Sequence, residues 1–113
     1  MVVIDGISDD DKLFVAGALI LDYGNNRIYT FQSEVIQLTP EAFKTLSYLA
    51  QRENIHQSFK KIYKAVWANG EGTNKRDEAR KTLADIIKRI NMVGSGFVWI
   101  DFVPKLGYAY RTR

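Results

Sequence analysis

The apolar and polar positions of residues 75–91 repeat with the period of an α-helix. At about 100° per residue, one side of this helix is apolar, with an i, i+4, i+7, i+8, i+11 spacing. The apolar positions are Ala79, Leu83, Ile86, Ile87 and Ile90. The polar positions of the opposite side are Glu78, Lys81, Asp85 and Lys88, flanked by Thr82 and Arg89. The pattern predicts a helix that packs on a core and turns hydrogen-bonding side chains outward. For most helices of this kind such a face is simply solvated.

The segment after this helix predicts a β-hairpin. Gly94, Ser95 and Gly96 form a turn signal, and the apolar run 97–103 predicts a strand. The residues Pro104 to Gly107 predict a tight turn, and residues 108–113 form the return strand. The alternating aromatic residues of this hairpin are expected to pack it onto a helix or to shield a strand edge.

Between Lys12 and Leu38, apolar and polar residues alternate with a period of two, which predicts short strands. Four segments, 13–15, 18–22, 27–31 and 34–38, alternate in this way. Turn signals separate them at 16–17, 24–26 and 32–33. The first part of the chain is therefore expected to form a four-stranded antiparallel sheet.

Two further helices lie between this sheet and residue 75. Thr39, Pro40 and Glu41 supply a cap, a first-turn proline and a first-turn acid, and the helix that they begin should end near Arg52. Ser58 can cap a second helix. The inward positions of that helix are Phe59, Ile62, Tyr63, Val66 and Trp67. Residues 69–74 contain two glycines and predict a loop.

The length of 113 residues allows one domain, which we place at 12–113 behind a tail or linker remnant at 1–11. Residues 1–41 hold seven acids and two bases, and residues 42–113 hold six acids and fourteen bases. The second part thus carries a net +8, which suggests a polyanionic partner. Without a cysteine, a signal peptide or an apolar run of membrane length, we expect a cytoplasmic domain without membrane contact.

This order of elements, together with a series of residues, resembles the OmpR/PhoB-type winged-helix DNA-binding domain over residues 12–113. The matching residues are Leu21, Asp22, Arg27, Val35 to Phe43, Leu49, Ala50, Ser58, Ile62, Ala65 to Trp67, and Val103 to Tyr108. The resemblance implies an α+β winged helix-turn-helix with an N-terminal four-stranded sheet, three helices and a C-terminal hairpin wing. The wing looks most like that of the ToxR/CadC branch.

The resemblance also implies a function. Members of this bacterial family bind double-stranded DNA sequence-specifically in transcriptional regulation, with the third helix in the major groove and the wing at the minor groove. They can contact RNA polymerase through the loop that corresponds to residues 69–75, and they can form homodimers on DNA. This sequence departs from the family at Asp85, Ile86 and Ile87, where an Arg-Leu-Arg run is common, and at Phe59 and Leu106, where arginine is frequent.

Base-edge and phosphate contacts require different side chains. The base-edge candidates on the outer side of the third helix are Lys81, Thr82 and Asp85. Asp85 has an alternative of equal weight, an ion pair with Lys81, Lys88 or Arg89. The phosphate candidates are Arg76, Arg80, Lys88 and Arg89, joined by Lys60, Lys61 and Lys64 unless some of these are merely solvated. The candidates for the minor groove are Lys105, Arg111 and Arg113.

Other kinds of site find little support in the sequence. The one histidine, His56, has no cysteine or second histidine to complete a metal site, and no residue at a suitable spacing completes a nucleophile–base pair with it. We therefore expect no enzyme, cofactor, metal or small-molecule substrate. The alternative function is a winged-helix protein–protein interaction module without DNA readout, favoured by the acids Glu78 and Asp85 and by the missing arginines.

Overall fold

The structure, a computed structural model, describes residues 13–32, 34–67 and 74–113. The strands β1 (Leu13–Ala16), β2 (Leu19–Asp22), β3 (Arg27–Thr30) and β4 (Val35–Gln37) form an antiparallel sheet in the order β1-β2-β3-β4. Three helices follow, α1 (Pro40–Ala50), α2 (Phe59–Val66) and α3 (Arg76–Val93). The strands β5 (Val98–Val103) and β6 (Gly107–Thr112) then pair as a hairpin. The predicted α+β architecture is confirmed.

The period of two in the first strands separates the two faces of the sheet. Leu19, Leu21 and Ile28 are fully buried on the inner face, with Leu21 paired to Ile28 across β2 and β3. Val15 and Val35 lie on the outer face and are about half exposed, at 49% and 53%. The sheet therefore buries one face on the helices and leaves the other largely open.

The two predicted helix caps are formed. The Thr39 Oγ1 atom accepts a hydrogen bond from the Ala42 N–H at 3.2 Å, and the Ser58 Oγ atom accepts from the Lys61 N–H at 3.2 Å. Each bond satisfies a backbone donor that the first turn leaves without a helical partner. Helix α1 ends at Ala50, earlier than predicted, because residues 51–54 continue as turns.

The predicted inward stripe of α2 is only partly buried. Ile62 and Trp67 are buried, but Phe59, Tyr63 and Val66 are half-buried. The reason is that the rings of Phe59 and Tyr63 face basic side chains of α3 (see below) as well as the core. Helix α3 extends from Arg76 to Val93, two residues beyond its predicted end at 91.

One buried hydroxyl connects the two ends of the described chain. Tyr110 of β6 has no exposed surface, and its hydroxyl donates a hydrogen bond to the Ala16 carbonyl of β1 at 2.7 Å. Burial is the larger cause that raises the pKa of Tyr110 well above its ordinary value, and the negative charge of Glu53 is the smaller one. The hydroxyl therefore stays protonated and able to donate.

Several predictions fall outside the described residues. These are the tail at 1–11, the turn residue Ser33 and the greater part of the loop at 69–74. In the parts of the chain that are described, no helix combines the length and the apolar character that crossing a bilayer requires.

His56 lies in the connection between α1 and α2. Its Nε2 atom is 3.2 Å from the Asp101 Oδ2 atom of β5. Within residues 13–32, 34–67 and 74–113, no three side chains of the types that ligate metals come together.

Candidate nucleic-acid interface

The start of α3 is held by hydrogen bonds from neighbouring residues. The Arg76 N–H donates to the Asn74 Oδ1 atom at 3.0 Å, and the Lys75 N–H donates to the Tyr63 hydroxyl of α2 at 2.9 Å. Two acids occupy the first turn, where the positive end of the helix dipole stabilises them. These contacts fix the position of α3 relative to α2.

The buried side of α3 decides which of its side chains point outward. Four apolar residues are at most 1% exposed, namely Ala79, Leu83, Ile86 and Ile90. Ile87, the fifth residue of the predicted stripe, is only half-buried. Opposite the buried side lie Lys81, Asp85 and Lys88, all exposed, with Thr82 half-buried at the edge of this face. Lys81, Thr82 and Asp85 therefore share one accessible side of α3.

Asp85 forms an ion pair with Arg89. The Arg89 Nε atom lies 3.1 Å from the Asp85 Oδ2 atom, and both side chains are about half exposed, at 48% and 52%. This is the i, i+4 pairing that the sequence left open as the alternative to base readout. A half-exposed carboxylate of this kind remains able to accept a further hydrogen bond, so pairing and readout are compatible.

Arg76 and Arg80 lie on a different side of α3, against the aromatic residues of α2. The guanidinium carbon of Arg80 is 4.5 Å from the centre of the Phe59 ring, and that of Arg76 is 5.3 Å from the centre of the Tyr63 ring. The rings of Phe59 and Tyr63 are themselves stacked, with centroids 6.0 Å apart at an angle of 29°. Both arginines remain exposed. They are therefore held by cation–π contacts and still reach solvent.

Three lysines of α2 are exposed as well. They are Lys60, Lys61 and Lys64. They lie away from Ile62, the one fully buried residue of this helix. Their exposure fits either a phosphate contact or a solvated surface, the two alternatives that the sequence offered.

The hairpin turn lies beside the start of α2. The Gln57 N–H donates to the Tyr108 carbonyl at 2.7 Å, and the Tyr108 N–H donates to the Gln57 carbonyl at 2.8 Å. A groove of about 210 Å³ lies between Phe59 on one side and Lys105 and Leu106 on the other. The wing turn, the start of α2 and Arg80 above Phe59 thus form adjoining parts of one surface.

Arg111 and Arg113 lie at the opposite end of the hairpin from Lys105. Arg111 pairs with Trp99 in the β5–β6 register, and the Arg113 N–H donates to the Phe97 carbonyl at 2.9 Å. At roughly 3.3 Å per residue, Arg111 is about 13 Å along β6 from Gly107. Arg111 and Arg113 are thus on or beside the return strand, as the sequence predicted, and away from the wing turn that holds Lys105.

The sequence did not single out Phe59 and Tyr63 as part of the candidate interface. Both fit the apolar i, i+4 stripe of α2, which indicated the core. Two signals were available: Arg76 and Arg80 have the same i, i+4 spacing as the two rings, and Phe59 stands where the family that the sequence resembles frequently has arginine. Periodicity within one helix does not reveal which side chains meet across two helices.

Comparisons of the sequence identify no relative, because no family model matches the chain and no curated protein matches it either.

Solved structures, in contrast, match over most of the chain. The DNA-binding domain of Escherichia coli CadC is similar with a TM-score of 0.72 at 20% identity, covering 88% of this chain and 91% of that domain. The Klebsiella pneumoniae RstA DNA-binding domain, solved in complex with the RstA box, has a TM-score of 0.67 at 18% identity, covering 88% and 97%. The Thermotoga maritima response regulator DrrB, an OmpR/PhoB homologue, has a TM-score of 0.68 at 19% identity, covering 88% of this chain and 44% of that one. The chain thus has the predicted OmpR/PhoB-type winged-helix fold.

Proposed function

We propose that this protein binds double-stranded DNA sequence-specifically and acts in transcriptional regulation. The observation that carries the proposal is the placement of two basic side chains: Arg80 of α3 lies on the Phe59 ring of α2, and Phe59 borders the groove that Lys105 of the wing turn also lines. The RstA domain, which shares the fold, is solved with its DNA box, and this supports the same use of the fold here. Binding, and not catalysis, is the proposed activity.

In this proposal α3 lies in the major groove, which is about 12 Å wide and admits a helix. Lys81 donates to guanine O6 or N7, and Thr82 and Asp85 provide further base-edge contacts. The phosphate contacts come from the cations around them, Arg76, Arg80, Lys88 and Arg89, with Lys60, Lys61 and Lys64 on α2.

The wing contributes at the minor groove through Lys105. This residue is exposed in the turn between β5 and β6, where its backbone φ is 77°. A cation in a narrow minor groove gains from the focused negative potential there. Because Arg111 and Arg113 lie at the other end of the hairpin, we assign them at most contacts with outlying phosphates. Contacts of the 69–75 loop with RNA polymerase and a homodimer on DNA remain part of the proposal.

The rival function, a protein-interaction module without DNA readout, is favoured by exposed apolar side chains, which include Phe102 and Leu106 of the hairpin. Val15 and Val35 are half exposed on the outer face of the β1–β4 sheet, where a partner chain could cover them. The outer side of α3 is instead charged, with Lys81, Asp85 and Lys88 exposed. We therefore assign α3 and the wing to DNA, and regard the sheet as the surface on which the rival function would be tested.

The deciding experiment is an amide chemical-shift titration with a random duplex of about 16 base pairs at low and at higher salt. We expect salt-sensitive shifts at residues 76–91 and 104–108. If about five phosphates are neutralised, log K should fall against log salt with a slope near −4.5. No shifts, or shifts confined to β1–β4, would reject DNA binding and favour the protein-interaction module.

A further inference from the structure

The contact between α2 and α3 is formed by matched pairs of rings and guanidinium groups. Phe59 and Tyr63 are one helical turn apart on α2, and Arg80 and Arg76 are one turn apart on α3. Phe59 contacts Arg80 at 4.5 Å and Tyr63 contacts Arg76 at 5.3 Å. The earlier residue of the α2 pair thus contacts the later residue of the α3 pair, and the reverse. The Phe59–Arg80 pair is the shorter of the two, and it is the one next to the wing.

A guanidinium group that lies on a ring keeps its N–H groups available. The cation is attracted to the face of the ring, whereas the five N–H donors point outward from its edge. A phosphate can therefore accept hydrogen bonds from an arginine that is already held by an aromatic ring. Holding the side chain beforehand also reduces the conformational entropy that would be lost on binding.

From this geometry we propose that Phe59 is a positioning residue for DNA binding. Its ring holds the Arg80 guanidinium so that the edge of that group is presented to a phosphate of the duplex. The inference rests on the proposed function and adds a role for a residue that does not itself supply charge. Phe59 also borders the groove next to Lys105 and Leu106, so the same ring contacts Arg80 and faces the wing turn.

Phe59 suits this role because it is neither fully buried nor free. It is half-buried against the core, which fixes its position, and the Phe59–Tyr63 stack at 6.0 Å limits its rotation. Leucine at this position keeps helix propensity and most of the volume, but it has no π face. Tyrosine keeps the π face. These two substitutions therefore separate packing from the cation–π contact.

A double-mutant cycle tests the proposal with four proteins: wild type, Phe59→Leu, Arg80→Ala and the double variant. Affinities for a random duplex of about 16 base pairs are measured by fluorescence anisotropy at one low salt concentration. We expect Phe59→Leu to weaken binding about two- to five-fold, the range of an exposed cation–π contact, and Phe59→Tyr to bind like the wild type. In the Arg80→Ala background, Phe59→Leu should have no further effect.

Phe31→Leu is the control, because it removes an accessible ring, 51% exposed, that packs edge-on against Phe97 on another part of the surface. It should leave affinity unchanged. The proposal is overturned if Phe59→Leu weakens binding equally with and without Arg80, if it has no effect, or if Phe31→Leu has the same effect. Each of these results would leave the proposed function intact. A wild-type protein that binds no duplex would overturn both.

Discussion

Lys81 and Lys88 lie on the same exposed side of α3, two helical turns apart. We predict different roles for them. Lys81→Ala should cost about 1–3 kcal/mol on the specific site and relax specificity at one base pair, because it removes a base-edge donor. Lys88→Ala should weaken binding to all sequences alike and reduce the salt slope by about one.

The measurement requires the preferred site, obtained by selection from random duplexes, and Kd values for that site and for a random duplex at several salt concentrations. Equal losses on both duplexes for both variants would contradict the division between base-reading and phosphate-binding residues on α3.

The Asp85–Arg89 ion pair leads to a second prediction at the scale of single residues. Asp85→Asn removes a negative charge beside the proposed DNA surface and releases Arg89. Random duplex should therefore bind more tightly, with a salt slope steeper by about one. Folding stability should change by less than about 0.5 kcal/mol, because both partners are half exposed. If Asp85 also accepts from a base, the preference at one base pair of the selected site should weaken.

Glu78→Gln is the matched control, since it removes one acid from the exposed surface of α3 but breaks no ion pair among the described residues. Fluorescence anisotropy on the random duplex compares the two variants. Equal gains would mean that only net charge matters, and no gain for Asp85→Asn would mean that Arg89 does not contact phosphate.

At the scale of elements, the wing depends on Gly107. Its φ is 108°, and a Cβ atom at this position would lie 2.1 Å from the Gln57 carbonyl oxygen. We predict that Gly107→Ala separates the wing turn from residues 57–58. The Tyr108 and Gln57 amides should lose protection from hydrogen exchange, and duplex affinity should fall as Lys105 moves.

Gly96→Ala provides the control for backbone strain alone. Gly96 also has a positive φ, 83°, but a Cβ atom there meets nothing within 4 Å. Its substitution should cost about 1–2 kcal/mol of folding stability and leave the wing in place. If both variants lose the same protection and affinity, the contact with Gln57 is not what holds the wing.

Local sequence signals predicted the elements because the interactions that define them are local. Thr39 and Ser58 cap their helices through bonds that span three residues, and the stripe of α3 follows from its period. The candidate site was less predictable. The Phe59–Arg80 contact joins two helices across 21 positions, and the Tyr63–Arg76 contact joins the same helices across 13. Such relations are set by tertiary packing, which composition and periodicity do not determine.

At the scale of the whole molecule, the net charge differs in sign between the first sheet and the rest of the domain. Residues 13–41, which include β1–β4 and the start of α1, hold three acids and one base, a net of −2, whereas residues 42–113, which include α2, α3 and the hairpin, hold six acids and fourteen bases, a net of +8. An approaching duplex would therefore be repelled from the sheet and attracted to α3 and the wing. Such a difference in charge would orient α3 and the hairpin toward a polyanion.

The sheet and the wing hairpin must stay together for that orientation to persist, and Tyr110 joins them. Tyr110→Phe removes the hydroxyl that donates to the buried Ala16 carbonyl, so we predict a loss of about 0.5–1.5 kcal/mol in unfolding free energy at pH 7. In the wild type, the pKa of Tyr110 is raised from its ordinary 10.0 by burial and by Glu53, so the neutral form is favoured in the folded state. The part of the unfolding free energy that comes from this raised pKa is fully present below the pKa of the unfolded chain. It is lost as the pH rises toward the higher pKa of the folded chain, at about 1.4 kcal/mol per pH unit.

Tyr110→Phe has no such group, so its stability should fall less steeply above pH 10. Urea unfolding at pH 7, 9, 10 and 11 measures the difference in unfolding free energy between the two proteins. All other titrating groups are common to both, so their contributions cancel in this difference. We expect a constant difference up to about pH 9 and a smaller one at pH 11. A difference that stays constant to pH 11 would show that the Tyr110 hydroxyl ionises as easily in the folded chain as in the unfolded one, and that it does not hold the hairpin to the sheet in the way described.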